Sequence, residues 1–276
     1  MRNIKNEIAT KGHITLEYPS NLRKAVEETN TLWEKFCELP EDVKSSLVYS
    51  NNSDGVGYEL KDGIGKNADR KENFDITIAG EKWLVENTSK IKEPVVLDFL
   101  KSAVSLVDIM KSTVFDFALY LEQVYDIQGF HNEVRDSKDS FFVRFIHYFG
   151  NRKDGEETAS AHVDQSGFTF HLYESQPGLQ ALSFRGDWED MPVSSGETVI
   201  IPSMQLQLRT KGKLKALCHR VVATQTTAKT GRYSAVCFVQ LKNTSKYDKD
   251  KHGRLQEKTP GFNYQMAYEE FQELFK

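Results

Sequence analysis

Three short words constrain this chain more than anything else in it: His162-Val163-Asp164, His219-Arg220 and Arg232-Tyr233-Ser234. Each falls in a stretch rich in β-branched and aromatic residues, so each is expected on a strand. Side chains at i and i+2 leave the same face of a strand, which lets His162 and Asp164 grip one ion together. His219, about fifty-five residues later, would close the triangle from a neighbouring strand. Two imidazoles and one carboxylate on one face leave the opposite coordination positions open, the donor set suited to Fe(II). Arg232 and Ser234 again share a face and would offer a guanidinium and a hydroxyl to a carboxylate held near the metal. A chain carrying these words must fold its strands back on one another until residues far apart in sequence meet.

The remaining composition narrows the setting. A net charge of −4 over 276 residues argues against nucleic acid or an anionic membrane as the main partner. Cys37, Cys218 and Cys237 are too few and too scattered for a disulfide scaffold or a thiolate site, so reduced thiols are expected. No apolar signal region follows Met1, and no apolar run approaches the length of a membrane span, so a cytoplasmic location is expected.

Taken in order, residues 20–37 have the spacing of an amphipathic helix, with Ser20 as its N-cap and Leu22, Val26, Thr29, Trp33 and Phe36 on one face. A second short helix is expected at Leu39-Pro40-Glu41-Asp42-Val43-Lys44. Residues 50–80 are polar and glycine-rich, without a phosphate-cradle pattern, and read as a loop. Residues 94–126 carry a long apolar stripe with Pro94 in its first turn and Gly129 past its end, a helix expected to pack on a sheet. Strands follow from Phe141 onward. His171 lies an odd number of residues from His162, so on an unbroken strand it would face away from the metal and serve structure only. Residues 242–258 are charged and expected to be solvated, and a last amphipathic helix is expected at about 264–275.

The order His-x-Asp, distant His, Arg-x-Ser resembles the isopenicillin N synthase-like branch of the 2-oxoglutarate/Fe(II)-dependent dioxygenases. Further likeness comes from Arg144-Phe145-Ile146-His147-Tyr148, from the Gly178-Leu179-Gln180 run and from Gly196-Glu197-Thr198-Val199-Ile200-Ile201-Pro202. The chain departs from the pattern at Ile146, where many relatives have a cosubstrate-binding Asn, at Phe149, where they have Pro, and at Ser203-Met204, where they have Gly-Asp. The segment before residue 20 is only a stub beside the extra strand and helix usual in relatives. The resemblance implies an α+β, mainly β fold, with a double-stranded β-helix (jelly-roll, cupin-like) core braced by helices. One catalytic domain would span 1–276: helical support and a substrate-mouth loop over 1–135, the jelly roll over 136–245, and a loop and helix over 246–276.

The resemblance also implies the site. His162, Asp164 and His219 would be the catalytic metal ligands, and Arg232, Ser234 and Tyr148 would hold 2-oxoglutarate. Arg70, Phe74 and Tyr58 would line the substrate mouth, although a plain surface loop is an equal reading of that segment. Fe(II) and 2-oxoglutarate are the implied cofactor and cosubstrate, with ascorbate as a stimulant, and dioxygen and a small molecule (an amino acid or natural-product intermediate) as substrates. Because Asp164 is present, hydroxylation, desaturation or cyclisation is implied rather than halogenation. A monomer or weak homo-oligomer is expected.

Three other readings stay open on the residues alone. The same fold could work as an iron-dependent oxidase without 2-oxoglutarate. Two histidines and a carboxylate also suit a zinc hydrolase, although no Glu beside a ligand offers itself as general base. A non-catalytic jelly-roll binding protein would need the three words to coincide by chance.

Overall fold

A computed structural model describes residues 4–49, 55–62, 70–89, 91–242 and 270. The helix expected at 264–275 and nearly all of the charged tract at 242–258 lie outside the described residues. The first half of the chain runs α1 (Ile4–Lys11), β1 (Ile14–Glu17), α2 (Ser20–Cys37), α3 (Glu41–Lys44), β2 (Gly57–Asp62), β3 (Arg70–Thr77), α4 (Glu81–Thr88), α5 (Pro94–Tyr125) and α6 (Phe130–Asp136). The second half runs β4 (Phe142–Tyr148), β5 (Glu157–His162), β6 (Phe168–Glu174), β7 (Leu179–Leu182), β8 (Trp188–Asp190), β9 (Glu197–Pro202), α7 (Met204–Arg209), β10 (His219–Val222), α8 (Thr227–Thr230) and β11 (Arg232–Val239).

Two antiparallel sheets result, one ordered β1-β9-β6-β11-β4-β3-β2 and the other β5-β10-β7-β8. Strands consecutive in sequence alternate between sheets, as β4, β5 and β6 do, which is the winding of a double-stranded β-helix. The outer face of the large sheet is covered by α2 and α5. Trp33 and Phe36 of α2, Phe99 of α5, Phe74 of β3 and Phe145 of β4 meet there with ring centroids 5.2–6.1 Å apart. All five are fully buried, and each contributes roughly 1.5–3 kcal/mol of apolar transfer. The long helix ends where Asp126 turns left-handed (φ 52°), just before Gly129.

Several expectations change. Ser20 is the first helical residue rather than a cap; Pro19 holds the cap position, and no side chain caps the helix. The stub before residue 20 is not featureless, since α1 and β1 occupy it and β1 pairs with β9. The supposed loop at 50–80 supplies the hairpin β2–β3, which extends the large sheet beside β4. Its strands carry many polar residues because they lie over buried partners, a context that period and propensity do not reveal. No described helix is long and apolar enough to cross a membrane.

Candidate metal centre

The inner face of the large sheet can be followed row by row, because directly opposed residues in an antiparallel pair share a face. From the deep end the rows across β11, β4 and β3 are Arg232, Tyr148 and Lys71; Ser234, Ile146 and Asn73; Val236, Arg144 and Asp75; Phe238, Phe142 and Thr77. On the other side of β11, β6 sets Glu174 against Ser234, His171 against Val236 and Thr169 against Phe238, with a register shift between Ala235 and Val236. That shift re-aims the strand. Gly231 (φ +80°) immediately precedes β11: a Cβ there would lie 2.6 Å from the Tyr148 carbonyl oxygen, so only glycine brings Arg232 this close to Tyr148.

The small sheet faces these rows and supplies the histidines. His162 ends β5, and His219 opens β10 directly opposite it, their rings 4.4 Å apart. Asp164 lies two residues past the strand end, not on it. It sits in a loop fixed by Met204 N–H donating to the Asp164 carbonyl (2.9 Å) and Gln205 N–H donating to the Ser166 carbonyl (2.9 Å). The short helix α7, invisible in the sequence pattern, therefore holds the carboxylate in place. His162 Nε2 and His219 Nε2 stand 3.5 and 3.8 Å from Asp164 Oδ1, and one ligand atom from each residue lies within 4.8 Å of the others.

Protonation agrees with ligation. The Nδ1 atoms of His162 and His219 lie 2.7 and 3.3 Å from the carbonyls of Ser160 and Leu217. A carbonyl can only accept, so each Nδ1 carries the proton and each Nε2 presents a lone pair. Thr169 Oγ1 donates to Asp164 Oδ2 (2.7 Å), leaving Oδ1 for an ion. Burial alone would raise the Asp164 pKa, but His219, His162 and the Thr169 hydroxyl hold it well below the ordinary carboxylate range. Burial pushes His219 down to about 4, with Asp164 opposing. His162 is about one-third exposed, so the centre opens to solvent on its side.

Arg232 and Ser234 are buried on the same inner face. The Arg232 guanidinium is not a free fork: Nε donates to the Gln176 carbonyl (2.8 Å) and Nη2 is paired with Glu174. Nη1 is buried without a partner. Tyr148 lies beside it, its ring centroid 6.0 Å from the guanidinium carbon and 5.8 Å from Lys71 Nζ. A buried orphan donor next to a hydroxyl and a phenol fits an incoming carboxylate.

Two further expectations are corrected. His171 faces the inner chamber, because residues 163–167 are a turn and strand parity does not carry across it. Its ring is 5.4 Å from that of His219, and its Nε2 is buried without a partner. Burial, then His219, push its pKa down to about 3. Tyr58 and Phe74 do not line a mouth. Both are fully buried on the outer face, Phe74 in the aromatic cluster and Tyr58 donating to Glu72 (2.8 Å). Arg70 stands at the start of β3, its carbonyl accepting from Phe149 N–H (3.2 Å). Glu72 also accepts from Lys44 Nζ (2.6 Å) and lies 2.8 Å from His147 Nδ1. Cys37, Glu72 and His147 are close enough to suggest a second metal group, but the Lys44 ammonium already supplies the positive charge there.

The buried imidazoles make an acid-sensitive fold. His219 and His171 titrate near 4 and 3 when folded, against about 6.5 in an unfolded chain. The unfolded chain therefore takes up protons that the folded one refuses, and stability is lost as pH falls below about 6.5. Each histidine contributes a slope of up to about 1.4 kcal/mol per pH unit. Urea denaturation of the metal-free protein should show the loss between pH 7 and 5; a flat profile would contradict neutral burial.

Comparison with known proteins places this geometry. Residues 140–241 match the family model described as 2OG-Fe(II) oxygenase superfamily. A 2-oxoglutarate-dependent dioxygenase of Didymella fabae is 28% identical over 237 residues, 74% of this chain and 68% of the relative. A full-length Neurospora crassa protein solved in complex with alpha-KG superposes with a TM-score of 0.69 at 20% identity, covering 98% of this chain and 88% of that one. The 2-oxoglutarate complex of a dioxygenase for auxin oxidation from Arabidopsis thaliana gives 0.70 at 14% identity, covering 92% and 90%. The matched segment spans strands β4 to β11 and both histidine strands, and this likeness supports an oxygenase that uses Fe(II) and 2-oxoglutarate.

Proposed function

We propose that this protein oxidises a small organic molecule by hydroxylation, desaturation or cyclisation, with His162, Asp164 and His219 holding the iron and Arg232, Ser234 and Tyr148 receiving the far carboxylate of 2-oxoglutarate. The observation that supports this reading is the pairing of the His162–Asp164–His219 group with the orphaned Arg232 Nη1, on residues that all lie within electrostatic reach of His171. Bound iron supplies dioxygen activation coupled to decarboxylation of 2-oxoglutarate to succinate. The chain's own part is to fix the donors, turn the Nε2 lone pairs of His162 and His219 toward the ion, neutralise a buried carboxylate, and hold the target C–H bond near the ion.

The chamber wall at the level of the ion supports a compact, planar or apolar substrate. Phe238 opposes Thr169, which bonds Asp164, and Phe238 stacks on Phe142 with centroids 4.7 Å apart. Arg144 in the adjoining row is neutralised by Asp75 through two hydrogen bonds of 2.7 and 2.6 Å. That wall offers ring surface and little uncompensated charge.

Anaerobic addition of 2-oxoglutarate to the Fe(II)-loaded protein should give a weak visible charge-transfer band. In air, succinate release should accelerate with planar heterocyclic or aromatic candidates more than with free polar amino acids. No band, tight stoichiometric zinc and ester or amide hydrolysis would overturn the assignment.

A further inference from the structure

Among the described residues, five buried side chains have a polar atom without a partner: Asn30, Trp33, Asn73, His171 and Arg232. Asn30 and Trp33 belong to α2. The other three lie on the inner rows of the large sheet, facing one chamber. An unsatisfied polar atom in such a place costs about 1–3 kcal/mol, and hydrophobic neighbours such as Val199 and Val236 show that an apolar side chain would pack there. The His171 Nε2 is thereby left open to a ligand that would complete it.

His171 is placed to meet such a ligand. It stands one row from Ser234 toward the ion, its ring edge-on to the metal-ligand His219. It is close enough to Asp164, Arg232 and His162 to feel the charge of each. It therefore flanks the space between the ion site and the guanidinium. We propose that His171 is a further cosubstrate-binding residue, its Nε2–H donating a hydrogen bond to 2-oxoglutarate. This rests on the oxygenase reading above. The need for such a donor follows from Arg232, whose other nitrogens are committed to Glu174 and Gln176, so that one terminal nitrogen is left to balance a carboxylate.

The test is calorimetric titration of 2-oxoglutarate into Mn(II)-loaded protein, which binds without turning over. His171→Leu fills the same volume without a donor and should weaken 2-oxoglutarate binding about ten-fold, as loss of a hydrogen bond to a charged group does. Its Mn(II) affinity, titrated separately, should match the unmodified protein. His171→Gln restores a side-chain N–H and should recover most of the loss. Unmodified 2-oxoglutarate affinity in His171→Leu, equal impairment of the Gln and Leu variants, or a matching loss of Mn(II) affinity would each overturn the proposal. Failure of the unmodified protein to take up 2-oxoglutarate would instead overturn the oxygenase reading itself, and this proposal with it.

Discussion

Asp164→Ala is expected to abolish substrate oxidation and to weaken Fe(II) or Mn(II) binding by more than the ten- to hundred-fold that loss of an outer-shell partner costs. Only one protein oxygen completes the triad, and Asp164 Oδ1 is the atom that both Nε2 atoms approach. The fold should survive. Removing the carboxylate strands no opposite charge, because His219 is neutral at pH 7, and the Thr169 hydroxyl keeps Ser203 Oγ and Ser166 Oγ at 3.2 Å as partners. Thr169→Val should be milder, since it removes only the bond that orients the carboxylate, and should fall within that ten- to hundred-fold range. Metal titration and thermal melting of both variants separate ligation from folding. An Asp164→Ala protein that binds Mn(II) as tightly as its parent would refute the centre.

The candidate ligands His162, Asp164 and His219 are legible in the sequence because donor type and order are read directly from the residues, whatever surrounds them. That His162 and His219 sit directly opposite each other is set by the register of β5 and β10, which the sequence does not show. What fails is parity carried across an unseen break. Alternation puts His171 on the wrong face because the turn at 163–167 resets it, and the Ala235–Val236 register shift alters it again. Glu174 escapes notice for the same reason. Lys71 and Asn73 are hidden by a different cause: β2 and β3 are polar enough to resemble a loop, and the register that sets Asn73 against Ile146 is fixed by a distant strand. Phe74 and Tyr58, one step out of phase with them, point to the helices.

Arg232→Ala should produce the other large effect, and it should be two effects at once. Cosubstrate affinity should fall roughly ten- to hundred-fold, the cost of one charge-assisted hydrogen bond. Stability should fall by about 3–5 kcal/mol, because Glu174, whose side chain is only 4% exposed, is left as a buried charge without its cation. The double change Arg232→Met with Glu174→Met separates them. Replacing both members of a buried pair by apolar residues of similar size is often neutral, so stability should return while 2-oxoglutarate affinity does not. Glu174→Gln should act in the opposite sense on binding. Its amide can still accept from Arg232, but the guanidinium loses its counter-charge and an incoming carboxylate no longer meets a neighbouring anion. The ligand-free protein should therefore melt earlier, while the rise in melting temperature on adding 2-oxoglutarate to the Mn(II)-loaded form becomes larger than in the unmodified protein. A smaller rise would mean that Glu174 aims the guanidinium more than it opposes the ligand, and that orientation rather than charge governs cosubstrate capture at this end of the chamber.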